Sequence, residues 1–575
     1  MVAIRRLLIA NRGEIAVRIV QACREAGISP VVAVTAGERD ALPATLADAV
    51  VEVVSYLDAE ALVDAATHAD ADAVHPGYGF LAEDPAFAEL VLEAGLGWVG
   101  PPPDAMRRLG DKTVARTVAR AADVPVVPGV DADGMSDEAI EREAALLGPP
   151  LLVKAAGGGG GRGMRRVDDL ATLRTVLIEA RQESAAGFGE ERVFLERRLE
   201  GVRHVEVQVL LDDHGNAVHL GERDCSLQRR HQKIVEASPA PGVDDELRRA
   251  LGEAAIALAR AGGYRGAGTA EFLLAPDGEW WFLEMNVRLQ VEHGVTEAVT
   301  GVDLVRAQLE IAGGGRVPVD RAGVSLRGHA IEARIYAEDP ANAFLPATGH
   351  VTRLELPRWP GVRIDTALVG GEVIGFEFDP LLAKVIAHGE DRPATIARLR
   401  AALAEVRIVG VATNLGFLLD ALARPEVIEG TADTDWVEQV WRPEVPVLPP
   451  GVRAEPSGPD PWVVFGTAGT VADVTVAGSH AQFRGWSYRL GDDELEASEL
   501  TPPGGSLTAP MPASVLRVEV EPGDAVAAGQ ILAMLEAMKI QVQVAAPGAG
   551  TVRAVHVRAG DVVARGDTLI ELEEG

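Results

Sequence analysis

Glu271 and Glu284 stand on either side of Pro276, Asp277 and Gly278 in the stretch AEFLLAPDGEWWFLEMN, residues 270–286. Turn residues between two β-rich runs read as a hairpin. Folded midway between 277 and 278, the hairpin sets the two glutamates face to face, and opposed side chains on paired strands lie close. Two carboxylates so placed repel one another unless a cation joins them. Hard oxygen donors suit Mg2+ or Mn2+ bridging the phosphates of a nucleotide. Asn286, two residues on, can add an amide oxygen from the same face. Continued at period two, NVRLQVEH sets Asn286, Arg288, Gln290 and Glu292 along one face of a predicted strand. A polar row of that kind calls for a ligand or for water.

A second feature points to phosphate. GGGGGRGM, residues 157–164, follows the strand-like LLVKAA and precedes the strand-like MRRV. Its formal GxGxxG match is an accident of five consecutive glycines, and no GxxxxGK[ST] is present. The glycines join two strands instead of opening a helix. Such a lid can lay backbone N–H groups over phosphates, and Lys154 just before it can reach one. A flexible linker is the plainer alternative.

Lysine is rare here. Of 54 basic residues only five are lysine: Lys112, Lys154, Lys233, Lys384 and Lys539. A lysine amine can lose its proton and be acylated, which an arginine cannot do under ordinary conditions. Lys539 lies in LEAMKI, within an internal repeat. Pro510–Glu536 aligns with Pro547–Glu573 at an offset of 37 without a gap, and twelve of the 27 pairs are identical. Two such halves predict a small β-sandwich with approximate two-fold symmetry. Lys539 falls in the segment joining them, a natural hairpin tip. An exposed amine there suits covalent attachment of a carried group; an ordinary surface lysine is the alternative.

The elements around these residues are legible in outline. Residues 5–35 read strand, helix, strand, with Ile15, Ile19 and Ala22 at helical spacing, which implies a parallel sheet. ADAVHPGYGF continues it, and strand ends in such folds are where ligands bind. A charged helix is expected over 136–147 and another over 168–182. Seven prolines in 441–461 predict a stiff linker. WVVF, VADVTV and HAQFRGWSYRL then suggest short strands, read as a docking element for a partner. The formal charge of −32 argues against nucleic acid. Two cysteines, Cys23 and Cys225, fit a reducing compartment. No apolar run reaches membrane-spanning length, and no signal peptide is evident. A cytoplasmic location is expected.

The tail is similar to a biotinyl carrier domain, whose modified lysine lies in Ala-Met-Lys-Met or a near variant; here it is Ala537, Met538, Lys539, Ile540. Lipoyl carriers share the fold but usually place Asp before the lysine. Residues 4–445 resemble biotin carboxylase of the ATP-grasp fold, through IANRGEIAVRI, HPGYGFLAED, GDK, RHVEVQV, ERDCSLQRRHQK, GYRGAGTAEF, EMNVRLQVEHGVTE, EARIYAEDP and FDPLLAK. All five lysines fall in such motifs. The resemblance implies a multidomain α/β and α+β protein. Its parts would be a pre-ATP-grasp Rossmann-like domain (1–112), an ATP-grasp domain with a Gly-rich lid (113–325) and a biotin carboxylase C-terminal domain (326–442). A Pro-rich linker with a small β-rich region (443–506) and an all-β biotinyl/lipoyl-like sandwich (507–575) would follow.

It also implies chemistry. ATP would phosphorylate bicarbonate to carboxyphosphate, which gives up CO2 beside a ureido nitrogen of biotin on Lys539. Glu292 would act as general base. Arg288 would hold bicarbonate, with Gln290 and Val291 beside it. Lys233 would contact bicarbonate or the transferring phosphate. Arg334, permanently charged, would stabilise the biotin enolate. Lys112, Lys154, Gly160 and Gly161 would hold phosphates, Glu196 and Leu199 the adenine edge, and His204, Gln228 and His231 would surround the nucleotide. Glu271, Glu284 and Asn286 would hold the metal. Departures from the family are Val287 for Thr, Gly294 for Pro, Arg197 for Lys, and FEFDP for an aromatic-rich stretch ahead of Asp379.

Nothing in the chain resembles a carboxyltransferase. The expected reading is the α subunit of an acyl-CoA carboxylase, acting on acetyl-, propionyl- or a longer acyl-CoA with a separate carboxyltransferase β subunit. A biotin protein ligase would load Lys539. The carboxylase subunit of a two-part pyruvate carboxylase is the alternative. An ATP-grasp ligase with an accessory tail and a lipoyl-like carrier are more distant ones. The family's carboxylase domains pair, so a homo-oligomer within a larger complex is expected, with Arg18 at its contact.

Overall fold

The computed structural model describes residues 4–155, 164–188, 191–319, 324–448, 474–477, 480–489, 506–538 and 540–574. Gly160, Gly161 and Lys539 therefore lie outside the described residues, as does WVVF.

The N-terminal segment forms the expected parallel sheet, in the spatial order 49–52, 29–34, 6–9, 73–75, 97–98. Its first two neighbours are Arg6–Ile9 and Ser29–Val34, with helix Gly13–Glu25 between them in sequence. Chain order reverses on either side of Arg6–Ile9, so the turns after Ile9 and His75 open at the strands' carboxyl ends. Asn11 ties those turns together, donating to the carbonyls of Pro76 at 2.6 Å and Tyr78 at 2.8 Å. Gly77 is required there: its φ is +63°, and a Cβ would meet Asn11 Nδ2 at 2.8 Å.

The glycine-rich stretch lies, as expected, between two antiparallel strands, Leu151–Ala155 and Met164–Val167, with Lys154 opposite Met164. They belong to a four-stranded sheet with Gly129–Asp131 and Val193–Arg197. Helix Asp137–Leu147 is capped by Ser136. The helix expected over 168–182 runs instead over Leu173–Phe188, after a 3-10 turn capped by Asp169.

An eight-stranded sheet spans the middle of the molecule. Its spatial order is 280–286, 266–274, 203–211, 217–229, 232–238, 329–336, 381–389, 362–366. The last three strands belong to the C-terminal part, so one sheet runs across the boundary expected near residue 326. Helix Arg392–Glu405 covers that end, over a core that includes Ile335, Leu399, Phe417 and Trp441.

The HAQFRGWSYRL run is two strands, His480–Phe483 and Trp486–Arg489, because Arg484 and Gly485 turn the chain with φ of 49° and 81°. With Val474–Ala477 they form a meander on the chain's own C-terminal domain. Gln482 accepts from the Ile408 N–H at 3.0 Å and donates to the Val406 carbonyl at 3.1 Å, and Trp486 joins that domain's core.

The repeat in the tail holds to the residue. Strands Ala513–Val518, Ala525–Val526 and Ile531–Ala537 recur 37 positions on as Gly550–Val555, Val562–Val563 and Thr568–Glu574. The halves exchange their short strands. Val562–Val563 pairs with Ala513–Val518, and Ala525–Val526 pairs with Gly550–Val555. Two four-stranded sheets close around Leu532, Leu535, Leu569 and Ile570.

Candidate functional site

The hairpin register is as read from the sequence at the point that matters: Glu271 pairs with Glu284, and Thr269 with Asn286. The route there is less direct. Nearer the turn Phe272 pairs with Phe282, one residue out of step, and a bulge before Glu284 restores the register. The row then extends further than expected. Glu271 also pairs with Glu206 on strand Arg203–Leu211, and Glu206 with Arg223 on strand Ala217–Arg229. Glu284, Glu271, Glu206 and Arg223 thus stand abreast across four strands.

Lys233 reaches into this row. Its Nζ bonds Glu206, Glu271 at 2.7 Å and Glu292 at 2.7 Å. Burial disfavours its charge, but the three carboxylates outweigh that and hold the ammonium well above its ordinary range. Burial would likewise raise Glu292, yet Lys233, Arg334 and Arg223 bring it well below the usual carboxylate range. Glu292 is therefore an anion at any working pH. Arg334 bonds it at 3.0 Å and also bonds Glu236.

The stretch 287–292 is not a strand; strand Trp280–Asn286 ends at Asn286 and the chain leaves the sheet. The expected alternation still holds, with Val287 and Leu289 wholly buried in apolar surroundings. The polar residues turn the other way without ladder bonds. Arg288 donates to Gln290 at 3.0 Å and to Asn286 Oδ1 at 3.1 Å, and lies 3.2 Å from Glu83. Asn286 gives its Nδ2 to Glu271 at 2.7 Å, so its amide oxygen faces Arg288. Glu292 stands at the N-cap position of helix His293–Thr300, with its side chain turned to Lys233 and Arg334 and not to the helix. Gly294 is buried in that helix, and a Cβ there would meet Ile386 Cδ1 at 2.5 Å.

Lys112 opens helix Lys112–Ala121 and bonds Glu284 at 3.0 Å. Lys154 and Arg116 both bond the buried Glu196, while Leu199 lies half-buried just past that strand. Arg197 sends its side chain to the Leu147 carbonyl at 2.9 Å, away from Glu196. His204 bonds Glu271 through Nε2 at 2.9 Å. Burial opposes its charge, and Glu271 more than compensates, raising its pKa. Gln228 lies behind it, 3.5 Å from Nδ1. His231 is exposed on the turn before Gln232. Val291 gives its carbonyl to Lys384. Arg18 is buried on Glu297 and Asp303 of its own chain, at 3.0 and 2.6 Å.

The sheet and the loop that leaves it at Asn286 thus gather Glu271, Glu284, Asn286, Lys233, Arg288, Gln290, Glu292, Arg334 and His204, with Lys112 beside Glu284. Lys154 and Glu196 form a separate pair on the four-stranded sheet. Sequence reasoning missed Glu206, Arg223 and Glu236. Glu206 had a signal: His204, Glu206 and Gln208 alternate with Val205, Val207 and Val209. A polar row inside an apolar strand is the same pattern that singled out Asn286 to Glu292. The donors fit a divalent cation, since Glu271 and Glu284 are opposed carboxylates that here draw on Lys233, His204 and Lys112 for positive charge.

The carrier-like tail meets this body. Ala537 pairs with Ile540, and Met538 lies in the turn that follows Ala537. Met538, with φ of 49°, is only 2% exposed and donates its N–H to the Phe376 carbonyl at 2.9 Å.

Four family models match segments of the chain. Residues 3–106 match the model of the biotin carboxylase N-terminal domain, and 332–439 that of its C-terminal domain. Residues 111–319 match the ATP-binding domain of the carbamoyl-phosphate synthase L chain, and 505–572 the biotin-requiring enzyme model. The chain is 46% identical to a biotin carboxylase of Allochromatium vinosum over 76% of its length and 98% of that protein. It is 42% identical to the rat mitochondrial methylcrotonoyl-CoA carboxylase subunit alpha over 76% of its length, but the match spans only 62% of that relative. Among solved structures, the biotin carboxylase domain of Hydrogenobacter thermophilus 2-oxoglutarate carboxylase, bound to MgADP and bicarbonate, has a TM-score of 0.74 and 38% identity. The similarity covers 76% of this chain and 98% of that one. A Campylobacter jejuni biotin carboxylase in an ATP complex has a TM-score of 0.74 and 39% identity, covering 76% and 99%.

Proposed function

The chain belongs to the biotin carboxylase family, and on that footing we propose that it is the α subunit of an acyl-CoA carboxylase of the acetyl- or propionyl-CoA type. It is a biotin-dependent carboxylase with an ATP-grasp body and a biotin-requiring domain, using ATP, biotin and Mg2+. The finer reading is that biotin is carried on Lys539 and that a carboxyltransferase subunit in trans moves the carboxyl group to an acyl-CoA. The similarity to methylcrotonoyl-CoA carboxylase subunits supports an acyl-CoA acceptor over pyruvate.

The observation that carries the proposal is Glu292 held between Lys233 and Arg334. Glu292 is an anion placed to take the bicarbonate proton as the bicarbonate oxygen attacks the γ-phosphate of ATP. Lys233 lies between it and Glu271, where the transferring phosphoryl group would need positive charge. Arg288, free to exchange Gln290 and Asn286 for an anion, would hold bicarbonate. Glu271 and Glu284 would hold Mg2+, which neutralises phosphate charge. Biotin supplies the nitrogen that receives the carboxyl group, and Arg334 would orient its ureido oxygen. Lys112 and Lys154 would bind phosphates, while Glu196 and Leu199 would lie at the base. No helix among the described residues is long and apolar enough to cross a membrane.

The test is ATP hydrolysis by the full chain with and without bicarbonate and biotin, followed by fixation of labelled bicarbonate. Hydrolysis should require both, and Glu292→Gln should lower it at least 100-fold, within the range of a lost general base. The carboxyltransferase that restores turnover is then challenged with acetyl-, propionyl- and methylcrotonoyl-CoA and with pyruvate. Hydrolysis indifferent to bicarbonate would refute the carboxylase reading; turnover with pyruvate alone would refute the acyl-CoA one.

A further inference from the structure

We propose that Met538 is a docking plug, by which the carrier domain seats on the carboxylase body of its own chain at the surface formed by Leu345 and Phe376. The seat deepens the carboxylase reading and rests on it for its purpose, though not for its detection.

Turn residues at the tip of a sandwich ordinarily face water. Met538 does the opposite: at 2% exposed it joins the buried apolar cluster of the C-terminal carboxylase domain, with Phe344, Phe417 and Trp441, and not the core of its own sandwich. The packing is reciprocal. Leu345 and Phe376, which belong to the carboxylase body, pack against the carrier's core cluster. The Met538 N–H is bonded across the seam to the Phe376 carbonyl. A positive φ is unfavourable for methionine. Glycine or asparagine would form this turn more readily. The apolar side chain here fills the seam between the two domains.

The position of the seat is informative. Leu345 pairs with Asp339 beside Glu338, whose carboxylate holds Arg229 at 2.6 Å. Asp339, which pairs with Leu345, follows Tyr336 by three residues, and Tyr336 accepts from Arg334 at 3.3 Å. The seat therefore lies a few residues along the chain from the Arg334 end of the site, where the carried group would arrive.

Amide exchange and activity, measured on the full biotinylated chain, test the proposal. Met538→Asp and Leu345→Asp each place a carboxylate in the seam. Both should speed exchange in peptides covering 374–378 and 532–538. Carboxylation of the chain's own biotin should fall at least tenfold, while carboxylation of free biotin added as a probe is unchanged. The double variant should be no worse than either single one, because both break the same contact. Mass measurement of biotin occupancy excludes a loading defect, and Met538→Leu, which keeps the apolar plug, should restore most of the rate. Unchanged exchange in both peptides would overturn the seat. So would equal loss with free and attached biotin. Faster exchange in a protein whose wild type fixes no bicarbonate would instead overturn the carboxylase reading and leave the contact standing.

Discussion

Lys384 donates to the carbonyl of Val291 at 2.8 Å, although the two residues belong to different domains. Its Nζ also lies 3.0 Å from Glu14 and 3.6 Å from Asp365. One fully buried ammonium thus joins the N-terminal helix, the C-terminal sheet and the loop that carries Glu292. Burial opposes its charge, yet Glu14, Glu332 and Asp365 push its pKa up to about 12. Lysine suits the place, because a compact ammonium can aim donors at acceptors on three sides and a flat guanidinium cannot.

Replacing Lys384 should therefore shift the Val291–Glu292 loop. Lys384→Met is expected to lower kcat by roughly 10- to 100-fold, since a misplacement of about 1 Å can cost that much. The KM for bicarbonate should rise while the KM for ATP changes little. Lys384→Arg should not rescue it. Steady-state kinetics with each substrate varied in turn would show the split; an equal rise in both KM values would contradict the positioning role.

Glu271 and Glu284 face each other and are balanced here by Lys233, His204 and Lys112. Glu284→Gln should raise the Mg2+ concentration needed for half-maximal ATP hydrolysis by about tenfold or more, as expected when a carboxylate ligand becomes neutral. Titration of activity with Mg2+ at saturating ATP reads this directly. A maximal rate lowered with no change in Mg2+ dependence would count against a metal role.

Burial pushes Glu236 up to about 7, against the pull of Arg334. Below that pH it is neutral, and the Arg334 charge is left to Glu292 and to substrate. Above it, the carboxylate competes for Arg334. At fixed bicarbonate concentration, kcat/KM should decline as pH rises through about 7. Glu236→Gln should flatten that limb. The same limb in the variant would assign the ionisation elsewhere.

Glu338 is likewise pushed up to about 7 by burial, only partly offset by Arg229. Its folded value lies above its ordinary 4.5, so its contribution to stability is complete below about 4.5 and is lost as pH rises through about 7. The shift corresponds to a loss on the order of 3 kcal/mol. Urea midpoints at pH 5 and pH 8 should differ more in the wild type than in Glu338→Gln.

Much of this protein was legible in local pattern. The 37-residue repeat foretold a sandwich of two like halves, and their strands recur at that offset because each half carries its own turns at Gly523 and Gly560, both with positive φ. The Glu271–Glu284 pair followed from a turn and a count, since a hairpin brings only near neighbours together. The scarcity of lysine marked sites that the structure fills with carboxylate partners for Lys112, Lys154, Lys233 and Lys384. Where contacts are short in sequence, alternation and turn chemistry determine them.

What joins distant segments was decided only by tertiary structure. Period two suggested a strand over 286–292, but the ladder stops at Asn286; burial of Val287 and Leu289 produces the same alternation without hydrogen bonds. Glu206 and Arg223 enter the site through strand order, Lys384 reaches Val291 across a domain boundary, and Met538 is buried by a domain some 160 residues earlier in the chain. Each depends on which sheet edges and surfaces meet. That is set by the summed burial of many side chains, and no single stretch of sequence carries it.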